Sequence, residues 1–281
     1  MTEQDSLRSQ ISARINSASL QLPVFNRVVL ELQRLMNDPD VGTRQLEAVI
    51  AKDPALVAQV LRLANSSRYA GLNKIATVDQ ALLRLGTQQV CRLALAASQL
   101  SLYKTKYLPL ESYMADSWNR AYASAIGAGW IAERTGHAGM AQAAFLAGLL
   151  HDVGNLLILM VLEDIEMKAG TNRQFSASLI NDILNSLHCE CGYMLMQRWN
   201  LPEIYCNAAR DHHLQALDAR DDLIMVVRLM DMVCLRMGIG CTADPALLPA
   251  ASPEAENLGI SEITLAELEV FLEESLGLTP T

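Results

Sequence analysis

The chain has 281 residues, of which 51% are hydrophobic, 19% charged and only 5% aromatic, enough for one large or two ordinary domains. A composition rich in Leu and Ala favours helices over strands, so the expected fold is all-α. The net charge of -9 repels polyphosphate and argues against nucleic acid as a partner.

Leu22-Pro23 opens the first periodic segment, PVFNRVVLELQRLMNDPDV, in which Val24, Val28, Leu32 and Leu35 recur at the steps of an amphipathic helix. Asp38-Pro39 ends it. Thr43 is placed to cap TRQLEAVIAKD, and Asp53-Pro54 opens PALVAQVLRLANSS. Asn65, Ser66 and Arg68 fall in a turn-like stretch and read as local caps. Thr77 and Gln80 form a capping box ahead of ALLRL, and Gly86-Thr87 closes that helix and caps TQQVCRLALAASQL. Short helices thus fill residues 24–100, and YKTKYLPLES, with its Pro109, joins them to the rest of the chain.

From Asp116 the helices lengthen. SWNRAYASAIGAGWIAERTG is followed by MAQAAFLAGLLHDVGNLLILMVLE, read as one helix, then by the segments 181–199, 202–213 and 222–237, and finally by TLAELEVFLEESLG. Charge changes with them: residues 1–105 carry 12 Lys+Arg against 8 Asp+Glu, and residues 106–281 carry 10 against 23. Two parts are expected, an N-terminal bundle of short helices over 1–105 and a helical core over 106–281. Ala144–Leu162 has nearly the length of a membrane span, but His151, Asp152 and Asn155 near its centre would be costly in lipid. It reads as a buried core helix, and no membrane association is expected.

The six cysteines lie mostly in helical-looking sequence and MTEQDSLRSQ does not read as a secretory leader, so reduced thiols and a cytoplasmic location are expected. Cys189 and Cys191 form a lone C-x-C and read as buried structural residues. Trp118, Trp130 and Trp199 read as packing at helix junctions.

Chemistry concentrates in the second part, which holds all five histidines. His151-Asp152 is an imidazole–carboxylate pair in very apolar sequence, where an ionised Asp needs a cation, a metal or a mutual hydrogen bond. Its surroundings add further anchors: Leu22-Pro23, DPALVAQVLRLANSSRYAG, VDQALLRLG, AFLAGLLHDVGN, HCECGYMLMQRWNLP and DHH at 211–213. Through these the chain resembles, over nearly all its length, the HDOD family, a relative of the HD-domain metal phosphohydrolases.

The resemblance implies a two-part helical protein with an HD-domain-like core. It makes His151 and Asp152 the HD pair, His188 and His212 or His213 the extra histidines of two-metal members, and Asp231 the closing carboxylate. Two departures imply a degenerate metal site: Arg120 stands where the leading histidine belongs, and Asn155 replaces a lysine that often follows the HD pair. Either the Arg120 guanidinium takes the place of the metal, pairing with Asp152, Asp231 or both, or Arg120 lies on a solvated face beside a weak metal site. The expected function is a non-enzymatic regulatory module of bacterial signal transduction, acting through signalling protein partners, with no catalytic residue and no cofactor; self-association is left open. The alternative is a phosphodiesterase or phosphohydrolase in which the six residues hold divalent Fe, Mn, Mg or Zn and activate water against a phosphate.

Overall fold

The structure, a computed structural model, describes residues 3–276 apart from 16, 18–19, 21, 24–26, 37–41, 66–68, 70, 72, 171–174 and 215–220. The chain runs through α1 (Glu3–Ile15), α2 (Arg27–Met36), α3 (Thr43–Ala51), α4 (Pro54–Ala64), α5 (Val78–Leu85), α6 (Thr87–Leu100) and α7 (Glu111–Arg134). It continues through α8 (Ala141–Leu150), α9 (Val153–Ala169), α10 (Ala177–Arg198), α11 (Glu203–Asp211), α12 (Asp222–Met237), α13 (Pro253–Asn257) and α14 (Glu262–Leu276). No strand occurs among the described residues, and the fold is all-α.

Two compact units form. One comprises Met1–Pro23 with Tyr103–Val270, the other Val24–Leu102 with Phe271–Thr281. Residues 1–23 therefore group with the later unit, whereas a division at 105 puts them with the short helices. The physical reason is α1, which packs on α9 and α10, buries Leu7, Ile11 and Ile15, and brings Arg14 Nε to 2.6 Å from Asp164 Oδ2.

In the smaller unit α2 to α6 enclose a core that includes Leu32, Leu46, Ile50, Leu56, Val60 and Val90. Asp53 caps α4, its Oδ1 accepting from Ala55 N and Leu56 N at 2.9 and 3.1 Å. Thr77 caps α5 through Gln80 N, but the reciprocal bond goes from Ala76 N, not Thr77 N, to Gln80 Oε1. Gly42 and Gly86 occupy the caps of α3 and α6, so Thr43 and Thr87 are the first helical residues instead; Gly86 has φ +80°, open to glycine at no steric cost. Asn65 is more than a helix cap, because its amide group exchanges two hydrogen bonds with the backbone of Ile75, both 2.8 Å, and closes the intervening loop. Val24, Asp38, Pro39, Ser66 and Arg68 lie outside the described residues.

In the larger unit α8 is apolar on every side and packs against α7, α11 and α12. The stretch expected as one helix is broken at His151-Asp152. His151 N still closes the last turn of α8 on Ala147 O, and Asn155 N bonds back to Asp152 O to begin α9. Both side chains at the break are buried, His151 0% and Asp152 7% exposed. Gly154, just beyond it, sets α9 directly on the backbone of α10, where a Cβ would fall 1.9 Å from His188 O. The run 138–169 is long and apolar enough to cross a membrane, and 89% of its apolar 18-residue window is buried.

The tryptophans sit at junctions. Trp199 Nε1 donates to Pro23 O at 2.8 Å, Trp118 stacks on Tyr122 with ring centroids 5.6 Å apart, and Trp130 lies under the Arg134 guanidinium at 4.1 Å.

Candidate functional site

Five elements of the larger unit deliver the site. α7 supplies Arg120, the α8–α9 break His151 and Asp152, α10 His188, the C-terminal end of α11 His212 and His213, and α12 Asp231. All seven sequence candidates meet in one place. Asp152 stands at the centre and faces two ways. Its Oδ2 lies 3.2 Å from Arg120 Nε and 3.6 Å from His151 Nε2, whereas its Oδ1 lies 3.5 Å from His188 Nε2 and 3.6 Å from His212 Nε2. Arg120 also donates through NH2 to Asp231 Oδ1, so its guanidinium bridges the two carboxylates. The Nε contact to Asp152 is an ion pair without a hydrogen bond, since Nε finds no hydrogen-bond partner.

The imidazoles are aimed by their own helices. His151 Nδ1 lies 2.9 Å from Gly148 O, His188 Nδ1 2.8 Å from Leu184 O, and His212 Nδ1 3.1 and 3.0 Å from Ala208 O and Ala209 O. A carbonyl can only accept, so each Nδ1 carries the hydrogen and each Nε2 turns inward. His151 Nε2 is fully buried and makes no hydrogen bond; the Asp152 and Asp231 oxygens are 3.6 and 3.9 Å away.

Electrostatics separates two halves of the site. On the Arg120 side, burial alone would raise the Asp152 carboxyl, but His151, His212, His188 and Arg120 together hold it well below its ordinary range. Asp231 is likewise held down against burial, chiefly by Arg120. Burial works against the His151 imidazolium, yet Asp152 and Asp231 raise its pKa on balance. Arg120 and the two carboxylates thus stabilise one another's charges. On the other side His188 is lowered by burial, and His213 falls to about 4 through burial and its neighbour His212. Both shifts favour the neutral rings.

This divides the site's fitness for metal. Between Asp152 Oδ2 and Asp231 Oδ1 the guanidinium already bridges the oxygens, and the residues there do not fit an ion. Beyond Asp152 Oδ1 the inward Nε2 atoms of His188 and His212, 3.3 Å apart, do fit one. Cys189, read from sequence as a structural thiol, belongs with them, its Sγ 3.3 Å from His188 Nε2. Its only sequence signal was adjacency to His188.

A cleft of about 750 Å³ opens onto the site, with Arg120, Asp152, His188, His213 and Asp231 in its wall and Asn155 beside them. Asn155 Oδ1 is buried without a hydrogen-bond partner, so the position of the expected lysine carries a polar atom in want of a donor.

Sequence reasoning also missed Arg228. Its NH1 donates to His212 O and Leu214 O at 3.2 and 2.5 Å, while Nε contacts the buried Glu254 on α13 at 2.6 Å. The guanidinium fastens the end of α11 and so sets where the two histidines stand. Arg228→Met is expected to lower stability by about 2 kcal/mol and to speed amide exchange around His213; unchanged exchange there would contradict this role.

Comparison with known proteins places these features in a family. The HDOD domain matches residues 22–215. An uncharacterised protein of Treponema pallidum (strain Nichols) is 28% identical over 218 residues, 75% of this chain, and the match spans only 40% of that protein's length. An HDOD domain protein of unknown function from Geobacter sulfurreducens aligns over 97% of both chains with a TM-score of 0.74 and 24% identity. A Shewanella amazonensis SB2B protein provisionally described as a metal-dependent phosphohydrolase aligns over 98% of this chain and 100% of its own, with a TM-score of 0.67 and 15% identity. At these identities the two solved structures establish the fold alone.

Proposed function

The chain belongs to the HDOD family, and from that premise we propose that it is a non-enzymatic regulatory module of bacterial signal transduction, working in the cytoplasm through protein partners. The observation that carries the reading is Arg120 bridging Asp152 and Asp231. A hydrolytic centre of the HD type needs cationic metal at those oxygens to polarise phosphate and generate hydroxide. Arg120 supplies a fixed positive charge there and no open coordination position, so it offsets part of the pair's negative charge and makes the pocket a rigid part of the fold. All six cysteines are free thiols, which suits a reducing compartment.

A second reading, a metal-dependent phosphohydrolase, draws support from the inward Nε2 atoms of His151, His188 and His212. There His188 and His212 would hold the ion, Asp152 would orient it, and the cleft would admit a phosphate ester. Hydrolysis of bis(p-nitrophenyl) phosphate and cyclic dinucleotides with added Mn²⁺ or Fe²⁺ separates the two. The regulatory reading predicts turnover no higher than that of Asp152→Ala. Metal-dependent turnover that Asp152→Ala abolishes would overturn it.

A further inference from the structure

We propose that Cys189 is a metal ligand, and that with His188, His212 and His213 it forms a site for one thiolate-preferring ion of the Zn²⁺ class. The donor atoms of these four residues all lie within 4.8 Å of one another. Ligand bonds of about 2.0–2.3 Å in a tetrahedron put neighbouring donors roughly 3.3–3.7 Å apart. His188 Nε2 is 3.3 Å from both His212 Nε2 and Cys189 Sγ, so two edges already have nearly the required length without movement of the helices.

The tautomers give the second, independent reason. With both Nδ1–H groups committed to Leu184 O and to Ala208 O and Ala209 O, His188 and His212 point two lone pairs at each other in a buried place. Lone pairs at that separation repel, and a shared proton or a metal cation between them relieves the repulsion. A backbone carbonyl behind each ring is also the usual support of a ligating histidine, fixing its orientation and raising its basicity. Sulfur alongside imidazole favours Zn²⁺ and its neighbours over Mg²⁺, which prefers oxygen. His188 and the half-exposed His213 line the cleft, giving the ion a way in. On binding, the thiol releases its proton to solvent as the S–metal bond forms.

The inference rests on the regulatory reading in one respect: Arg120 limits the site to a single ion. The untagged 281-residue chain, stripped with chelator, is titrated with Zn²⁺ and separately with Co²⁺, whose thiolate charge-transfer band reports sulfur ligation. Expected are one ion per chain, the cobalt–sulfur band, its loss in Cys189→Ser with Zn²⁺ affinity falling about tenfold or more, weaker binding in His213→Gln, and no response to Mg²⁺. Circular dichroism checks that each variant folds, and the half-exposed His213→Gln serves if Cys189→Ser does not. No binding at micromolar Zn²⁺, or one ion indifferent to both substitutions, overturns the inference and leaves Arg120's role standing. Two ions per chain with the sulfur band present overturns Arg120's role and leaves Cys189 a ligand.

Discussion

Gly154→Ala is expected to cost at least about 3 kcal/mol of stability, at the upper end of overpacking penalties, because nothing near the new methyl can yield. The added Cβ would stand 1.9 Å from His188 O and 2.7 Å from Gly192 N, both backbone atoms of α10. Relief requires α9 and α10 to separate, and α10 carries His188 and Cys189 with it, so the site opens together with the core. Gly139→Ala is the control: no atom lies within 4 Å of its Cβ position, and the change should stay within about 0.5 kcal/mol. Urea unfolding of the two variants reads the difference. A Gly154→Ala protein within about 1 kcal/mol of wild type would mean the helices are not held at this distance.

Arg120→Met should be nearly as damaging, at about 3–5 kcal/mol, because it leaves two buried carboxylates facing each other. The Arg120 side chain is 18% exposed and touches Asp152 and Asp231, themselves 8% and 14% exposed. Exposed Arg134, resting on Trp130, is the comparison, and its replacement by Met should cost no more than about 1 kcal/mol. The pH dependence has a defined sign. Both carboxyls are held below their ordinary value of 3.8, so the stability they contribute is present above that pH and is lost as pH falls through it toward their folded values. The deficit of Arg120→Met should therefore be widest near neutrality and shrink in acid, where protonation removes the unpaired charge. A deficit that stayed constant as the pH fell well below 3.8 would show that Arg120 acts through packing alone.

Much of this architecture was legible in the residues. Periodicity and punctuation by Asp53-Pro54, Thr77 and Gly86 located the short helices, since those residues act through contacts only a few positions away. The site candidates were legible through the resemblance to the HDOD family, which the HD pair, the segment around His188 and the adjacent histidines help to carry. What escaped depends on tertiary contact. The break at His151-Asp152 interrupts an apolar run that offers no Gly or Pro at the break itself, and the need for Gly154 just beyond it comes from the approach of α10. Arg228 reaches carbonyls 14 and 16 positions back in the chain, which no local pattern reports. The placement of residues 1–23 was partly readable: Leu7, Ile11 and Ile15 recur every fourth position, a helical stripe set among polar neighbours. The surroundings of Cys189 escaped because a thiol in a helix is most simply filler, and its distance from three imidazoles comes from the crossing of α10 and α11.

The decisive question is what neutralises Asp152 and Asp231. Anomalous diffraction from crystals soaked in Mn²⁺ answers it by direct inspection of the space between those side chains. The account predicts no manganese peak there and continuous density for the Arg120 guanidinium reaching both carboxylates; a peak bridging the two oxygens, with Arg120 displaced into the cleft, would contradict it.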